Sequence, residues 1–375
     1  MNATRQGTLP AIFFVLVLVG LGAAQEAKKE IQDKRNPARF HPNIKILNSV
    51  KEYEDVRWCD LTKIKAPLTS DLIATLWFNA ETGFGIAQDT ARAILEKGKN
   101  PGLGVRSIHK KGITGRGVNV AIIDQNLCLN HPEFKGKVVL YKDIGCEQPP
   151  GRGSMHAPGV TSLLAGNTIG TAPDVRIYFA AAPSWTADAK FQAEALDWIL
   201  DVNRSLPEGA KIKVVSISAA PSGKGSPFNK NNGLWDRAAK AARKAGLLVL
   251  DCTADNGIIG PCFYDIDDPD NVDKCKAGFP GRPGSGPKDR VYAPCSARTT
   301  AEEYDDGNPS YHYCGRGGLS WSIPYAAGVL ALGWQVKPSL TADEIVKLLF
   351  KTARLTADGY KIINPVAFIN EIEKL

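Results

Sequence analysis

The sequence lacks the features that mark several common classes of protein. None of its eight cysteines forms a CxxC pair, so a zinc site of the usual spacing is not expected. Its formal charge of +7 is small for 375 residues, and the lysines and arginines are scattered instead of forming a basic stripe. Beyond residue 24, no apolar run approaches the roughly 20 residues that cross a bilayer. We therefore expect no nucleic-acid partner, no zinc site and no stable membrane insertion of the mature chain.

The N-terminus has the pattern of a secretory signal peptide. Arg5 precedes a short apolar core at residues 11–20, and Gly22, Ala23 and Ala24 supply small side chains for cleavage. A retained transmembrane anchor is the alternative, but the apolar core is short for a span of about 20 residues. We predict a signal peptide over residues 1–24 and a secreted protein, either extracellular or periplasmic.

Export changes the interpretation of the cysteines. An even number of cysteines in an exported chain indicates disulfide bonds. Cys262–Cys275 and Cys295–Cys314 are the favoured pairs, since each would close a short loop in Gly- and Pro-rich sequence. Buried free thiols are the alternative, and Cys252 suits it because it follows an apolar strand-like run.

Strands alternate with helices through most of the chain. Predicted strands cover residues 118–123, 138–141, 175–181, 213–218 and 247–250, and predicted helices cover 156–164, 189–202, 234–245, 320–332 and 341–353. This alternation predicts an α/β fold, a doubly wound and mostly parallel sheet with helices on both faces. Ligands bind such sheets beyond the carboxyl ends of the strands.

Three polar residues stand where catalytic groups are expected. Asp124 directly follows a buried strand, where a carboxylate is costly without a partner. His156 and Ser320 each follow a Gly-rich turn and begin a predicted helix. A serine hydroxyl becomes a nucleophile when an imidazole takes its proton, and a buried carboxylate orients that imidazole. This chemistry requires no cofactor.

Each of the three also has an ordinary structural interpretation, since Asp after a strand forms turns and Ser after glycines caps helices. Their joint order argues against it, because Asp, His and Ser follow one another as in subtilisin. A different serine hydrolase, such as an esterase, is disfavoured because no G-x-S-x-G elbow surrounds Ser320.

Five segments resemble the subtilisin family of serine proteases, in the same order along the chain. They are residues 108–134 (IHKKGITGRGVNVAIIDQNLCLNHPEF), 156–166 (HAPGVTSLLAG), 170–173 (GTAP), 253–257 (TADNG) and 318–328 (GLSWSIPYAAG). The resemblance covers roughly residues 100–370. It implies a subtilisin-like fold with Asp124, His156 and Ser320 as the triad and Asn256 in the oxyanion hole. A polypeptide substrate would then lie as an extended strand against Ser218, Ala219 and Ala220.

The sequence departs from the family pattern beside each of these groups. The departures are Gln125 and Asn126, Ala157 to Gly159, Asp255, Leu319 and Trp321. The catalytic residue types survive, so the resemblance implies a divergent endopeptidase that works through an acyl-enzyme. The alternative is a catalytically silent relative that binds peptides or another protein.

Two regions keep more than one interpretation. Residues 25–100 resemble in position and size the pro-region of many subtilisin relatives, and could equally be a permanent accessory layer on a catalytic domain at 101–375. The acidic stretch 265–273 (Asp265, Asp267, Asp268, Asp270 and Asp273) is compatible with structural calcium, although solvated acidic loops are common.

Overall fold

The computed structural model describes residues 44–147, 153–255, 257–302 and 309–375. The predicted signal peptide at 1–24 and the predicted oxyanion residue Asn256 lie outside the described residues.

Short strands and short helices make up the first part of the described chain. Its elements are β1 (Lys45–Ile46), β2 (Cys59–Asp60), α1 (Ser70–Thr75), β3 (Trp77–Asn79), α2 (Gln88–Lys97) and α3 (Val105–Lys110).

Longer strands and helices then alternate. They are β4 (Asn119–Asp124), β5 (Val138–Asp143), α4 (Ala157–Ala165), β6 (Arg176–Ala181), α5 (Lys190–Ser205), β7 (Ile212–Ile217), α6 (Asn232–Lys244) and β8 (Leu248–Leu250).

A run of strands follows before the chain ends in helices. These elements are β9 (Ile259–Phe263), β10 (Lys276–Phe279), β11 (Arg282–Pro283), β12 (Val291–Pro294), β13 (Arg298–Glu302), β14 (Ser310–Cys314), α7 (Leu319–Val336), α8 (Ala342–Thr352), β15 (Arg354–Leu355), β16 (Lys361–Ile362) and α9 (Pro365–Ile372).

A five-stranded parallel sheet lies at the centre, in the order β5-β6-β4-β7-β8. Every residue of β4 is buried, as expected for a parallel strand covered on both faces. Along β4, Val120 and Ile122 belong to one hydrophobic core, whereas Ala121 and Ile123 belong to another. The predicted doubly wound α/β class is confirmed.

Helices cover both faces of this sheet. Helices α4 and α7 supply the first core with Ala157, Leu164 and residues 323–334, and α7 is buried along most of its length. Helices α5 and α6 supply the second core with Leu196, Trp235 and their neighbours. Because the chain leaves β4 toward β6 and later returns to its other side at β7, the carboxyl end of β4 lies at the switch point of the sheet, where ligands bind.

Strands β1 and β2 form a two-stranded parallel sheet, and two larger sheets were likewise not anticipated from the sequence. One is mixed, with the order β11-β10-β9-β12-β16-β15. The other joins β13 and β14 as an antiparallel hairpin, and β3 pairs with the outer side of β14. The chain passes from β14 through a short glycine-rich turn into α7, so the hairpin leads directly to the segment that contains Ser320.

Residues 44–100 form what we call the N-terminal layer. It has its own small core, which includes Leu61, Ile73, Phe78 and Phe84 and also takes in Tyr313 from β14. The division of the chain at residue 100 stays a prediction.

All eight cysteines lie within the described residues, and the predicted Cys262–Cys275 and Cys295–Cys314 disulfide bonds are not formed in the structure. Cys262 lies in β9 and Cys275 immediately precedes β10, its antiparallel partner strand. Burial raises the pKa of the Cys262 thiol, and its hydrogen-bonded contact with Cys275 raises that pKa further. The Cys262 thiol therefore favours the protonated form, although it lies close enough to Cys275 for hydrogen bonding.

Within the described ranges, no helix combines the length and the apolar character that a membrane span requires.

Candidate active site

Asp124 and His156 are in direct contact at the carboxyl end of β4. Asp124 is the last residue of that strand, and His156 immediately precedes α4. His156 Nδ1 lies 2.9 Å from Asp124 Oδ1 and 3.0 Å from Oδ2. The Asp124 side chain is 4% exposed and the His156 side chain 28%, so the carboxylate is buried while the imidazole reaches the surface. The Nε2 face of the ring is left for a second partner.

The electrostatics of this pair favour an imidazolium. Burial lowers the pKa of His156, but the charge of Asp124 and its hydrogen bond to the ring outweigh burial and raise that pKa above its ordinary value. The backbone N–H of Gln125 also donates to Asp124 Oδ1 at 2.8 Å. This arrangement fixes the ring and stabilises the cation that forms when it accepts a proton.

Ser154 fixes the start of the helix that follows His156. Its Oγ accepts hydrogen bonds from the backbone N–H groups of His156 at 3.2 Å and Ala157 at 3.0 Å. Ser154 is 3% exposed, so the cap is shielded from water. Sequence reasoning did not assign Ser154 a role, although a serine just before a predicted helix is a typical capping signal.

A tight turn delivers Ser320 to the beginning of α7. Gly317 has φ +58°, and a Cβ atom there would lie 1.7 Å from the carbonyl oxygen of Cys295, so only glycine fits. Ser320 is the second residue of the helix, where backbone N–H groups have no acceptor within the helix. The turn thus places a hydroxyl and an unpaired donor at the same helix end.

Ser320 is tied to the end of β7 instead of to His156. Ser320 Oγ donates to the carbonyl of Ser218 at 3.3 Å, and Ser218 Oγ donates to the carbonyl of Ser320 at 2.7 Å. Among the described residues, no hydrogen bond joins Ser320 Oγ to the imidazole of His156. The structure therefore brings Asp124 and His156 together, whereas Ser320 lies at the start of α7 and contacts the end of the adjacent strand β7.

The predicted substrate-binding segment is half-buried and already hydrogen-bonded. The Ser218 carbonyl accepts from Ser320 Oγ, that of Ala219 from the Cys252 N–H at 2.9 Å, and that of Ala220 from Ser226 Oγ at 2.6 Å. A carbonyl oxygen has two lone pairs, so each retains capacity for a further donor.

A cavity of about 90 Å³ adjoins the Asp124–His156 pair. Gln125 and Ser184 line it and are joined by a 2.7 Å hydrogen bond from Gln125 Nε2 to Ser184 Oγ. Gln192 also lines it, and its buried Oε1 has no hydrogen-bond partner among the described residues. The cavity is therefore polar and has room for a few ordered water molecules.

The segment that precedes Asn256 is held by a buried arginine. Arg290 is 8% exposed, and its guanidinium donates to the backbone carbonyls of Thr253 and Ala254. On the other side of Asn256, the same group donates to the carbonyl of Ile259 at 3.4 Å. Sequence reasoning missed Arg290, because nothing near it in the chain signals the contact.

The carboxylates of the acidic stretch already have donors. Lys274 Nζ lies 2.9 Å from Asp268 and 3.4 Å from Asp265, while the other three accept from Lys97 (Asp267), the Gly104 N–H (Asp270) and Arg354 (Asp273). No group of three or more His, Cys, Asp or Glu side chains in the described residues could hold a metal ion. Calcium binding here stays a prediction, and an ion would have to displace Lys274 from the two carboxylates that it bridges.

A family comparison connects this geometry with known proteins. The model of the subtilase family matches residues 115–277, which contain Asp124, His156 and the segment around Ser218. Over these residues the chain is similar to the subtilase family. The predicted family resemblance is thereby confirmed, and with it the expectation of a serine peptidase relative.

Two curated proteins are similar to this chain at low sequence identity. Subtilisin-like protease PopC of Myxococcus xanthus is 25% identical over 287 residues, which cover 67% of this chain and 58% of the relative. Subtilisin-like protease 2 of Trichophyton equinum is 27% identical over 145 residues, covering 38% of this chain and 32% of the relative. The chain thus spans less than two thirds of either relative.

A solved structure supports the fold alone. A protease from Pseudoalteromonas arctica superposes on this chain with a TM-score of 0.54 and 18% sequence identity, covering 73% of this chain and 95% of that chain.

Proposed function

We propose that this protein is a secreted, subtilisin-like serine endopeptidase in which Asp124, His156 and Ser320 form the catalytic triad. The observation that supports the proposal best is the buried Asp124 carboxylate bonded to Nδ1 of His156 at the switch point of the sheet. Such a pair needs a structural or catalytic reason, because a buried carboxylate is costly. A triad supplies one, since the carboxylate sets the imidazole tautomer and stabilises its cation.

In this mechanism Ser320 Oγ attacks the peptide carbonyl and His156 Nε2 accepts the hydroxyl proton. The C–N bond of the tetrahedral intermediate then breaks, His156 gives its proton to the leaving amine, and an acyl-enzyme on Ser320 remains. Water, deprotonated by His156, hydrolyses that ester and returns Ser320. The steps use only groups of this chain, so no cofactor is needed.

Ser320 must change its partner before it reacts. Its hydroxyl now donates to the Ser218 carbonyl, so substrate binding would have to turn it toward His156. Catalytic hydrogen bonds are often long or misaligned in free enzymes and tighten in the complex. A silent relative that binds peptides is the second candidate, and this same resting contact is the observation that favours it.

Two donors would stabilise the oxyanion of the intermediate. One is the backbone N–H of Ser320 at the start of α7, and the other is the side-chain amide of Asn256, by resemblance to the family. The clamp from Arg290 on the carbonyls of Thr253 and Ala254 would restrain the chain next to Asn256.

Polypeptides are the proposed substrates. An extended segment would add to the strand end at Ser218, Ala219 and Ala220, whose half-buried backbone adjoins both Ser320 and the polar cavity.

Export is a further part of the proposal. It rests on the signal-peptide pattern at residues 1–24.

A fluorophosphonate probe combined with casein digestion tests this function. We expect the secreted wild-type protein to be labelled at Ser320 and to cleave casein internally. Ser320→Ala should lose both activities. Ser322→Ala is the matched control from the same helix, because its Oγ binds the Ala293 carbonyl instead of the site, and it should retain both.

Each of the other outcomes would indicate a different function for this protein. No labelling of a folded wild-type protein would favour the silent relative, and labelling without proteolysis would indicate another kind of serine hydrolase. An active Ser320→Ala variant would refute the triad.

A further inference from the structure

The N-terminal layer shares backbone hydrogen bonds with the hairpin that leads to Ser320. Strand β3 pairs antiparallel with β14, with Trp77 opposite Cys314 and Asn79 opposite His312. The ladder continues past the strands, since the Gly315 N–H donates to the Leu76 carbonyl at 2.9 Å. Removing the layer would leave β14 as an unpaired edge.

A buried carboxylate joins the two parts. Glu302, at the end of β13, is 3% exposed. Arg57 of the layer donates to its Oε1 at 3.0 Å, and Asn79 of the layer donates to its Oε2 at 3.2 Å. On the hairpin side, His312 Nδ1 lies 3.5 Å from Oε1. The layer thus supplies the guanidinium and the amide that hold this carboxylate.

These partners keep Glu302 ionised. Burial raises its pKa, but the interaction with the neighbouring His312 ring, the charge of Arg57 and the Asn79 amide lower it to about 2. Breaking a buried ion pair by removing one member is strongly destabilising, because the remaining charge has lost its compensation. Loss of the layer would remove Arg57 and Asn79 together.

The same network reaches the residue next to Ser320. The His312 ring stacks on the Trp321 ring, with 6.5 Å between the ring centroids. The Trp77 ring contacts the same His312 ring edge-on, with 5.5 Å between the centroids. The Arg57 guanidinium lies 3.7 Å from the centroid of Trp77. Arg57 therefore contacts both Glu302 and Trp77, the two side chains that hold His312 against Trp321.

The junction between the layer and the rest of the chain is itself packed. Pro101, Gly102 and Leu103 are buried, and Gly98 lies so close to β13 that a Cβ atom there would come within 2.6 Å of Thr299 Oγ1. The Gly98 carbonyl accepts hydrogen bonds from the Thr299 N–H and from Arg298. A peptidase that cleaved near residue 100 would need this backbone to be extended and accessible.

From these contacts we propose that residues 44–100 are a permanent part of the active enzyme and not a removed pro-region. Within this layer, Arg57 is a positioning residue that acts on the start of α7 through Glu302 and His312. The inference rests on the proposed function, since it concerns the species that carries the reactive serine. Processing upstream of residue 44 is compatible with it.

Mass spectrometry of the active species tests the first part. The full-length chain is secreted from a host cell, labelled with the fluorophosphonate probe and measured intact. We expect the labelled chain to include residues 44–100. A labelled chain that begins after residue 100 would overturn the proposal. If the wild-type protein takes no label, the proposed function fails, while the mass of the folded protein still decides whether the layer is retained.

Arg57 variants test the second part. We expect Arg57→Ala to lower kcat about 10- to 100-fold with little change in KM, because a small displacement of a reacting group has effects of that size. Arg57→Ala/Glu302→Gln should recover most of kcat, because it removes the uncompensated charge together with its partner. A double variant as slow as Arg57→Ala would show that Arg57 does not act through Glu302.

Two controls separate positioning from stability. Arg92→Ala changes an exposed arginine of the same layer and should leave kcat and melting temperature unchanged. Ile73→Val thins the buried core of the layer away from Glu302, so it should lower the melting temperature but not kcat below that temperature. If kcat of Ile73→Val falls in step with its stability, or Arg57→Ala keeps normal kcat, the positioning role is wrong.

Discussion

The histidine half and the serine half of the site are organised to different degrees. Asp124 holds both the orientation and the charge of His156, and Ser154 caps the helix behind it. Ser320 instead exchanges hydrogen bonds with Ser218 and has none with His156. His156, the base, is thus oriented before substrate binds, whereas Ser320, the nucleophile, is hydrogen-bonded to the end of the neighbouring strand β7. The alignment of Ser320 is the step that distinguishes an active enzyme from a silent relative.

Asp124→Asn should have the largest effect on this comparison, because it removes the group that organises the histidine half. We expect kcat to fall about 10⁴-fold, the size seen for the equivalent change in other triad enzymes. His156 must be neutral to accept a proton, and Asp124 raises the pKa of His156. As the pH falls, wild-type activity should therefore be lost at a pH above the pKa of an ordinary histidine. In the Asp124→Asn variant, the acidic limb of the profile of kcat against pH should move to lower pH. An unmoved limb would contradict the assignment.

The same pair makes a contribution to stability with a defined sign. The pKa of His156 is raised in the folded state. The contribution of His156 to the free energy of unfolding is therefore fully present below the pKa that this histidine has in the unfolded chain. It should disappear as pH rises through the raised pKa. Thermal melts of wild type and Asp124→Asn across this range should therefore converge toward high pH.

Asn256→Ala should have an intermediate effect, confined to the serine half. If Asn256 supplies an oxyanion donor, kcat should fall about 10²- to 10³-fold with KM little changed, while labelling of Ser320 persists at a lower rate. That range is the known subtilisin value for such a donor, carried over by resemblance. If Asn256 only shapes its turn, the variant should melt at a lower temperature and keep most of its kcat.

A matched pair of serine substitutions should have the smallest effects. Ser154→Ala and Ser218→Ala each remove one hydroxyl that hydrogen-bonds to the start of a helix, and each should lower the free energy of unfolding by about 1 kcal/mol. We expect kcat to remain near normal in Ser154→Ala, because Asp124 still orients His156. Ser218→Ala should slow probe labelling more, because the start of α7 loses the 2.7 Å bond. Equal labelling rates would mean that both halves are held equally firmly.

Local pattern predicted the central sheet and its flanking helices well, but it did not predict the other sheets. The β-branched run at 118–123 anticipated β4 to within one residue at each end, because a buried parallel strand and its neighbouring helices have strong periodic signals. Strands β9 to β14 were missed. Their pairing joins segments far apart in the chain, such as β3 with β14, and no local pattern encodes such partners.

The site divides in the same way. Asp124 and His156 were identifiable because each follows or begins an element at a conspicuous position. Arg290, Glu302 and Arg57 were not, since their importance comes from burial against distant backbone and side chains. The present partner of Ser320 was also unpredictable, because it depends on a side-chain rotation and not on residue type.

The late position of α7 in the chain has a consequence for timing. Asp124 and His156 come from the first half of the chain, whereas Ser320 enters with a helix buried in the middle of the fold. A growing or translocating chain therefore contains the base long before the nucleophile can be installed beside it. In the proposed mechanism, the protein cannot hydrolyse peptides until the chain through the end of α7 at Val336 has emerged and folded. The order of the triad along the chain would thus protect the cell that makes the enzyme from premature proteolysis.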